Sequence, residues 1–266
     1  MVARTLSIYG RYFLQFLKAR LSYRGDFIAS VLSSIVVSIS GLLFVLFLVD
    51  GEQVKSLKGW SQAEVLFIYG YSFLATALFS TVAPNLYGFG DRYVIQGQFD
   101  RVLLRPLSTL PQVLFDSFNL ESFGNFAVGS TVIIYASSQL GITFSFVDVL
   151  WLLVSAFSGA VILLSVFVTL ASMSFLFEDK LGISAPFFNL LNFGRYPIPI
   201  FNRAIQVLLS FVVPFGFVAF YPATHFFGRA EYRLYCYATP FVALLTALVA
   251  AFAWRFGVSR YSSTGN

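Results

Sequence analysis

The sequence is poor in the residues from which most catalytic and metal sites are built. Among 266 residues it has one histidine, His225, and one cysteine, Cys236. A single cysteine excludes an internal disulfide, and one histidine with one cysteine cannot supply the usual zinc ligands. The patterns His-Glu-x-x-His and Gly-x-Ser-x-Gly are absent, and no apolar stretch carries paired carboxylates. The sequence therefore gives little support for a membrane-embedded protease, hydrolase or lipid-modifying enzyme.

A nucleotide-binding loop is also missing. None of the lysines follows a glycine (Lys18, Lys55, Lys58 and Lys180). The P-loop of ATPases requires Gly-Lys followed by Ser or Thr, because the lysine contacts the terminal phosphates. We therefore expect no ATP site, no metal site and no cofactor on this chain.

Charge is scarce as well. Charged residues make up 11% of the chain, hydrophobic residues 58%, and the mean hydropathy is +0.80, whereas an average soluble domain has about 25% charged residues. The apolar residues fall in uncharged runs of about 20 or more, the length that crosses a bilayer. The net charge of +5 does not indicate nucleic acid binding, because the basic residues flank the apolar runs. The fold class expected is an all-α integral membrane protein.

The apolar runs predict six transmembrane helices in one transmembrane domain spanning residues 1–266. Their expected limits are Phe27–Val49, Val65–Ala83, Ser122–Ile142, Val149–Phe177, Ala204–Tyr221 and Tyr235–Trp254. Pro214 is expected to kink the fifth span. Residues 1–26 contain a basic amphipathic stretch that predicts an interfacial helix, or alternatively an ordinary surface helix. The stretch Leu181–Phe193 is apolar but too short to cross, so we interpret it as an interfacial or partly buried helix.

The distribution of basic residues predicts the orientation. With the N-terminus cytoplasmic, 13 of the 17 lysines and arginines lie inside. The four outside are Lys55, Lys58, Arg229 and Arg233. Because loops rich in Lys and Arg stay in the cytoplasm, we expect both termini inside, residues 84–117 in a cytoplasmic loop and residues 222–234 in an extracellular one.

One short charged segment, Gly97–Pro106, lies between two apolar spans. Read as a helix, one face carries the apolar side chains Phe99, Val102 and Leu103, and the opposite face carries the charged side chains Asp100, Arg101 and Arg105. Gly97 loosens the backbone before it and Pro106 cannot continue a helix. This pattern favours a docking helix for a soluble partner. The alternatives are a plain surface helix and an anchor for lipid headgroups.

Neutral hydroxyl groups recur on two spans at helical spacing. They are Ser30, Ser34 and Ser38 on the first span and Ser72, Thr76 and Ser80 on the second. These side chains are candidates for lining a transport pathway. Small hydroxyl residues also permit close helix packing and bond their own backbone, and that reading is the favoured one. No ionisable residue falls in the middle of any expected span, which argues weakly against an ion-coupled carrier.

Three motifs resemble a known family. They are Gly97-Gln-Phe-Asp-Arg-Val-Leu-Leu-Arg-Pro106, Arg195-Tyr-Pro-Ile-Pro-Ile-Phe201, and Val213-Pro-Phe215 followed by Phe220-Tyr-Pro-Ala223. Together with the hydropathy pattern they resemble a bacterial subgroup of type-2 ABC transporter permeases. Phe99 departs from the subgroup, where an aliphatic residue is more usual.

The resemblance implies an exporter subunit in the bacterial inner membrane, with two identical or different permeases assembling with two separate ATPase subunits. ATP and magnesium would be bound by those partners. The segment between spans two and three would be the coupling helix, with Phe99, Val102 and Leu103 buried in a cleft of the ATPase and the charged residues forming ion pairs at its rim. The residues assigned to this contact are Gly97, Phe99, Asp100, Arg101, Val102, Leu103, Leu104, Arg105 and Pro106. An importer, and a self-sufficient channel or ion-coupled carrier, remain the alternatives.

Overall fold

The computed structural model describes residue 10 and residues 13–18, 22–50, 59–177 and 184–263. The main elements within these ranges are α-helices, joined by short 3₁₀ and π turns. In chain order they are α1 (Arg24–Asp50), α2 (Gln62–Val82), α3 (Gln98–Leu103), α4 (Thr109–Leu114), α5 (Ser122–Leu140), α6 (Phe146–Phe177), α7 (Ser184–Phe193), α8 (Arg203–Val207), α9 (Phe220–Ala223) and α10 (Arg233–Arg260).

Four helices in the described ranges are long and apolar enough to cross a membrane. They contain Arg24–Leu43, Gln62–Val82, Phe146–Phe177 and Ala230–Arg260. A fifth candidate is the segment Arg203–Val212 with Phe215–Phe227, which bends by 74° at its break. Each of the six expected spans falls on helical structure, but α5 is not among the candidates because polar side chains lower its hydropathy. The chain is therefore an all-helical protein with four to five candidate spans, and a count of six stays a prediction.

The long helices pack side by side in the order α1, α5, α2, α6 and α10. The middle helix α2 is the most enclosed, with 83% of its apolar window buried, whereas the corresponding share for α1 is 6%. A helix enclosed on all sides can be apolar all round, as α2 is. The core of the chain therefore surrounds α2, and α1 leaves most of its surface uncovered.

Two glycines permit the closest helix contact. An added Cβ at Gly129 of α5 would lie 2.6 Å from the Cβ of Phe73 and 2.9 Å from the carbonyl oxygen of Gly70. A side chain at either position would force α2 and α5 apart. Small residues at helix interfaces serve this purpose in membrane proteins, where dispersion contacts replace the hydrophobic effect as the attraction between helices.

The bent segment breaks at Pro214, as the sequence predicts. A π turn at Leu208–Val212 precedes the proline and a 3₁₀ turn at Phe215–Phe217 follows it. Proline cannot donate a backbone hydrogen bond, so the helix cannot continue through it. Phe215 and Phe220 are fully buried, and the hydroxyls of Ser210 and Tyr221 are hydrogen-bonded across the break at 2.6 Å. Protein therefore surrounds the irregular backbone that follows the break, as is required where lipid cannot satisfy its polar groups.

The two remaining expectations for short helices are met only in part. Helix α7 begins at Ser184 and has 10 residues, too few to cross a bilayer, and residues 181–183 lie outside the described ranges. Of the expected interfacial helix, residues 13–18 are helical. Phe13 and Phe16 there pack edge-on against Phe118, with centroids 5.0 and 5.7 Å away. The rest of that expectation falls mostly on residues outside the described ranges.

An ion pair closes the end of the bundle where α2 begins. Ser61 caps α2 in a capping box with Glu64, and the guanidinium of Arg229 lies 2.9 Å from the Glu64 carboxylate. The same guanidinium is stacked on Trp60, 4.1 Å from the ring centroid. Arg229 precedes α10 and Glu64 belongs to α2, so this contact fixes the two helices to each other at this end.

Candidate functional site

The segment Gly97–Pro106 forms a short projecting helix at the end of the bundle where α2 finishes. After α2, the chain makes a 3₁₀ turn at Pro84–Leu86 and a wide π turn at Gly90–Ile95. Gly97 has a φ of 67°, a left-handed conformation that glycine adopts without steric cost, and it starts α3 in a new direction. Helix α3 ends at Leu103, so the amphipathic helix expected from the sequence is present and is six residues long.

The apolar face of this helix is turned into the protein itself. Phe99 is fully buried and Val102 is 7% exposed. The Phe99 ring lies in an aromatic cage whose centroids are 4.7 to 6.2 Å away, formed by Phe89, Phe175, Trp254 and Tyr261. The expectation that Phe99 and Val102 would be buried in a cleft of another protein is therefore corrected. The cage, formed mainly by α6 and the end of α10, takes up the Phe99 ring, and Val102 is buried within the same chain. Periodicity alone could not show which surface the apolar face meets.

The exposed side of the segment combines leucine with arginine. Leu104 is 85% exposed and Leu103 is 47% exposed. Arg101, Arg105 and Pro106 are exposed beside them, and no ion pair within the described ranges includes either arginine. We call Arg101, Leu103, Leu104, Arg105 and Pro106 the docking face. It combines an apolar centre with two cations, an arrangement that resembles an interface core with a charged rim.

Asp100 is bonded within the chain. Its carboxylate accepts hydrogen bonds from the Tyr261 hydroxyl at 3.0 Å and the Ser263 hydroxyl at 2.6 Å. Burial, and then the neighbouring Asp100 carboxylate, raise the pKa of Tyr261 to about 12, so the phenol stays protonated and donates at neutral pH. Asp100 thus ties α3 to the residues after α10, in place of the rim ion pair expected from the sequence.

A polar network holds the loop before and after α3. Arg92 donates to Gln98 at 3.0 Å, to Asn85 at 3.1 Å and to Asp116 at 3.0 Å. Tyr93 donates to the same Asp116 carboxylate at 3.0 Å, and burial raises its pKa. Sequence reasoning missed this network, because only Gln98 belongs to a motif and its partners lie up to 31 residues apart along the chain, from Asn85 to Asp116. It ties the residues that precede α3 to Gln98, the first residue of α3, and to Asp116 after α4.

The hydroxyls proposed to line a pathway bond within the helix bundle. Ser38 donates to the backbone of Ser34 and bonds Asn125 of α5 at 2.6 Å, while Ser34 bonds the carbonyl of Glu121 at 3.0 Å. Ser72 and Thr76 donate to carbonyls of their own helix, and Ser80 bonds Tyr87. Ser30 is half-buried on α1. These bonds are those of helix packing, the favoured reading from the sequence, and a pathway role for the six residues stays a prediction.

A separate apolar groove lies between α6, the bent segment and α10. Its volume is about 630 Å³, within the range of small-molecule sites. Its lining is mostly aliphatic and aromatic, interrupted by a few hydroxyl groups: Ser165, Thr169, Ser210, Tyr235 and Thr246. The sequence pattern singled out other helices, because the groove exists only where three separate segments meet.

Arg195 occupies an unexpected place. Counted from the sequence, it belongs to the cytoplasmic residues that flank the spans. In the structure its guanidinium carbon lies 5.3 Å from the ring centroid of Phe73 and 6.0 Å from that of Tyr69. Both rings belong to the central part of α2. No ionisable residue of the sequence belongs to the middle of an expected span, but the chain before the bent segment carries this arginine against the middle of α2.

This placement is energetically demanding. A charge centred in a span costs about 2.5–3.5 kcal/mol on insertion scales. A guanidinium over an aromatic ring recovers about 0.5–2 kcal/mol. The Nε of Arg195 is buried without a hydrogen-bond partner, and no described carboxylate forms an ion pair with it. Part of the cost thus stays uncompensated within the described chain.

Comparison with known families now identifies the chain. Residues 35–265 match the model of the ABC-2 family transporter protein. The chain belongs to the ABC-2 transporter family. No curated protein and no solved structure gives a significant match. The match covers α3, Arg195 and the bent segment, so the resemblance drawn from the three motifs is confirmed.

Membership fixes the general role of the chain. It is the membrane component of an ABC transporter, a multi-pass transport subunit, and the family implies an ATPase partner. The permease must therefore carry a surface through which ATP-driven motion reaches its helices.

Proposed function

We propose that this permease forms, with a second identical or different permease, the translocation pathway of an exporter driven by two separate ATPase subunits. The docking face is the contact with the ATPase. The observation that carries this proposal is Leu104, which is 85% exposed directly after α3 and lies between Arg101 and Arg105 in the sequence. Burying this leucine against a partner would remove apolar surface from water and so stabilise the contact. The two arginines would supply the charged rim of that interface.

The mechanism follows from how α3 is held. ATP binding draws the two ATPase subunits together, and each displaces the docking face it contacts. Phe99 is inserted between Phe175 of α6 and Trp254 of α10, and Trp254 also donates to Thr109 at 3.0 Å. A push on α3 therefore acts on α6 and α10 directly, and through the Arg92 network on the end of α2. The helices move between inward-facing and outward-facing or collapsed arrangements.

The bundle suits an amphiphilic or apolar cargo. The hydroxyl-dotted apolar groove beside α6 and α10 has few groups that would bind a strongly hydrated ion. We place both termini, α3 and residues 84–117 in the cytoplasm and residues 222–234 outside. The strong asymmetry in basic residues supports this orientation, as does the family's need to meet a cytoplasmic ATPase.

The docking assignment is tested by co-purification. Leu104→Asp is expected to abolish capture of the ATPase while the permease still inserts and folds, because an acidic side chain replaces the apolar centre of the contact. Leu234→Asp is the matched control, since Leu234 is 80% exposed at the opposite end of the bundle. Undiminished capture by Leu104→Asp would contradict the docking face.

Two further measurements address orientation and energy source. A cysteine at the exposed Gln96 is expected to react with an impermeant maleimide only from the cytoplasmic side, and one at the exposed Glu231 only from outside. Gln98 is less suitable because its side chain is half-buried. Reconstituted permease alone should give no flux. Flux without ATPase and nucleotide would favour the alternative, a self-sufficient channel or ion-coupled carrier. ATP-driven uptake of cargo into inside-out vesicles would support export. ATP-driven uptake into right-side-out vesicles alone would indicate import.

A further inference from the structure

The most unusual charged group in the chain is Arg195, and its depth can be stated from α2. At 1.5 Å per residue, Phe73 lies about 16 Å from the start of α2 at Gln62 and about 14 Å from its end at Val82. The guanidinium lies 5.3 Å from the centroid of that ring. It is therefore at the middle of the most enclosed helix, about as far from one end as from the other.

The backbone holds Arg195 firmly in this position. Gly194 is buried against the bent segment, and an added Cβ there would lie 3.0 Å from the carbonyl oxygen of Phe215. Pro197 and Ile198 directly after it are buried as well. The side chain is thus presented by a fixed turn, whereas a surface arginine would reach headgroups by its own flexibility.

The donors of Arg195 are incompletely used. Its Nε is buried and has no hydrogen-bond partner. The ion pairs found among the described residues include Arg92–Asp116, His225–Asp148 and Arg229–Glu64, and none of these involves Arg195. A guanidinium has five N–H groups in a planar fork that matches carboxylate or phosphate oxygens. A charge at this depth that forms no ion pair with the described residues, and whose Nε has no hydrogen-bond partner, points to a ligand or transport site.

The surroundings define what else the ligand must contain. Arg195 is half-buried and lies beside Tyr69, whose hydroxyl is packed against α1 at Gly41. Helix α1 is the least covered of the long helices. The remainder of a ligand at Arg195 would therefore contact the aromatic rings of α2 and the exposed aliphatic surface of α1.

We propose that Arg195 binds the anionic head of an amphiphile, a carboxylate or a phosphate on an apolar chain, during its passage through the permease. The inference rests on the proposed transport function and names the class of cargo. A resting phospholipid would keep its headgroup near the ends of α2, about 15 Å from this depth. A molecule in transit would carry its charged group past it, and Arg195 lowers the barrier for that step.

The test uses the full-length permease in a neutral detergent and two pairs of probes. Oleate and oleyl alcohol share their chain and differ in charge, as phosphatidylglycerol and phosphatidylcholine differ in the net charge of their headgroups. Binding of each probe is measured by thermophoresis. We expect at least a tenfold preference for the anionic member of a pair. A preference for oleate assigns the site to a free carboxylate amphiphile, and one confined to phosphatidylglycerol assigns it to a bilayer headgroup.

Variants show whether Arg195 causes the preference. Arg195→Met is expected to abolish it, and Arg195→Lys to reduce it, because lysine keeps the charge and loses the fork. Arg203→Met is the matched control, since Arg203 is exposed on α8, and it should bind like the natural protein. If Arg195→Met does not fold, Arg195→Lys carries the test.

Three outcomes would overturn the inference. The first is that the natural protein shows no preference for the anionic probe, and the second is that the Arg195 variants keep the preference unchanged. The third is that the Arg195 variants lose permease dimers while ligand binding is unchanged, which would make Arg195 a contact between subunits. ATPase capture separates this inference from the proposed function. If the natural permease captures the ATPase but shows no preference for the anionic probe, only the anion site is wrong. If it shows the preference but does not capture the ATPase, the docking assignment is wrong.

Discussion

Truncating Phe99 should lower the stability of the permease, whereas truncating Leu104 should weaken its binding to the ATPase. The two side chains are only five positions apart in the sequence. Phe99 is fully buried among four aromatic rings, and Leu104 is 85% exposed. Phe99→Ala should destabilise the permease by about 3–5 kcal/mol, the cost of emptying a buried aromatic site. At about 0.8 kcal/mol per methylene, Leu104→Ala should cost about 2 kcal/mol of ATPase binding, roughly a 30-fold higher Kd, and leave stability unchanged.

The assay measures both quantities on both variants. Thermal unfolding in detergent gives the Tm, and titration with purified ATPase in nanodiscs gives the Kd. A loss of 3 kcal/mol corresponds to a fall in Tm of about 6–12 °C for a chain of this size. The folded fraction of the Phe99→Ala variant should bind the ATPase with an affinity close to that of the natural permease. An unchanged Tm for Phe99→Ala with a large rise in Kd would refute the reasoning, because it would place Phe99 in the partner's cleft.

Two further predictions concern the helix contacts. Gly129→Ala should destabilise the permease by about 1–3 kcal/mol through overpacking between α2 and α5, whereas Gly88→Ala, which has open space around it, should not lower the Tm; equal values would show that the helices can separate without cost. Glu64→Gln should cost about 3 kcal/mol, because it leaves the guanidinium of Arg229 partly buried without its counter-charge. A Tm unchanged by Glu64→Gln would mean that the stacking of Arg229 on Trp60 alone holds that end.

Much of the class of this protein could be derived from its sequence. The length of the uncharged runs requires membrane spans, because a bilayer imposes one length on any helix that crosses it. Pro214 marked the break in the bent segment, since proline ends backbone hydrogen bonding in any context. The segment Gly97–Pro106 was recognisable as a short helix from its own glycine and proline. Each of these inferences depends on residues that are near one another in the chain.

The sites depended on contacts that the sequence does not display. The amphipathic pattern of α3 showed that Phe99 and Val102 share a face, and only the tertiary structure decided that this face meets Phe175 and Trp254 of the same chain. It thereby left Leu104 as the centre of the exposed surface. Periodicity reports which side chains lie together on a helix, and it contains no information about which surface covers them.

The position of Arg195 likewise depends on the tertiary structure more than on the sequence. The sequence determined that this is a membrane transporter subunit and that Arg195 lies between two apolar stretches, where a count of flanking charges places it at the membrane surface. The folding of residues 194–198 against the bent segment decided that the guanidinium lies over Tyr69 and Phe73 instead. Distance along the chain fixes hydrophobic length, but the depth of a side chain from a connecting segment is set by the packing of that segment, which only the three-dimensional structure contains.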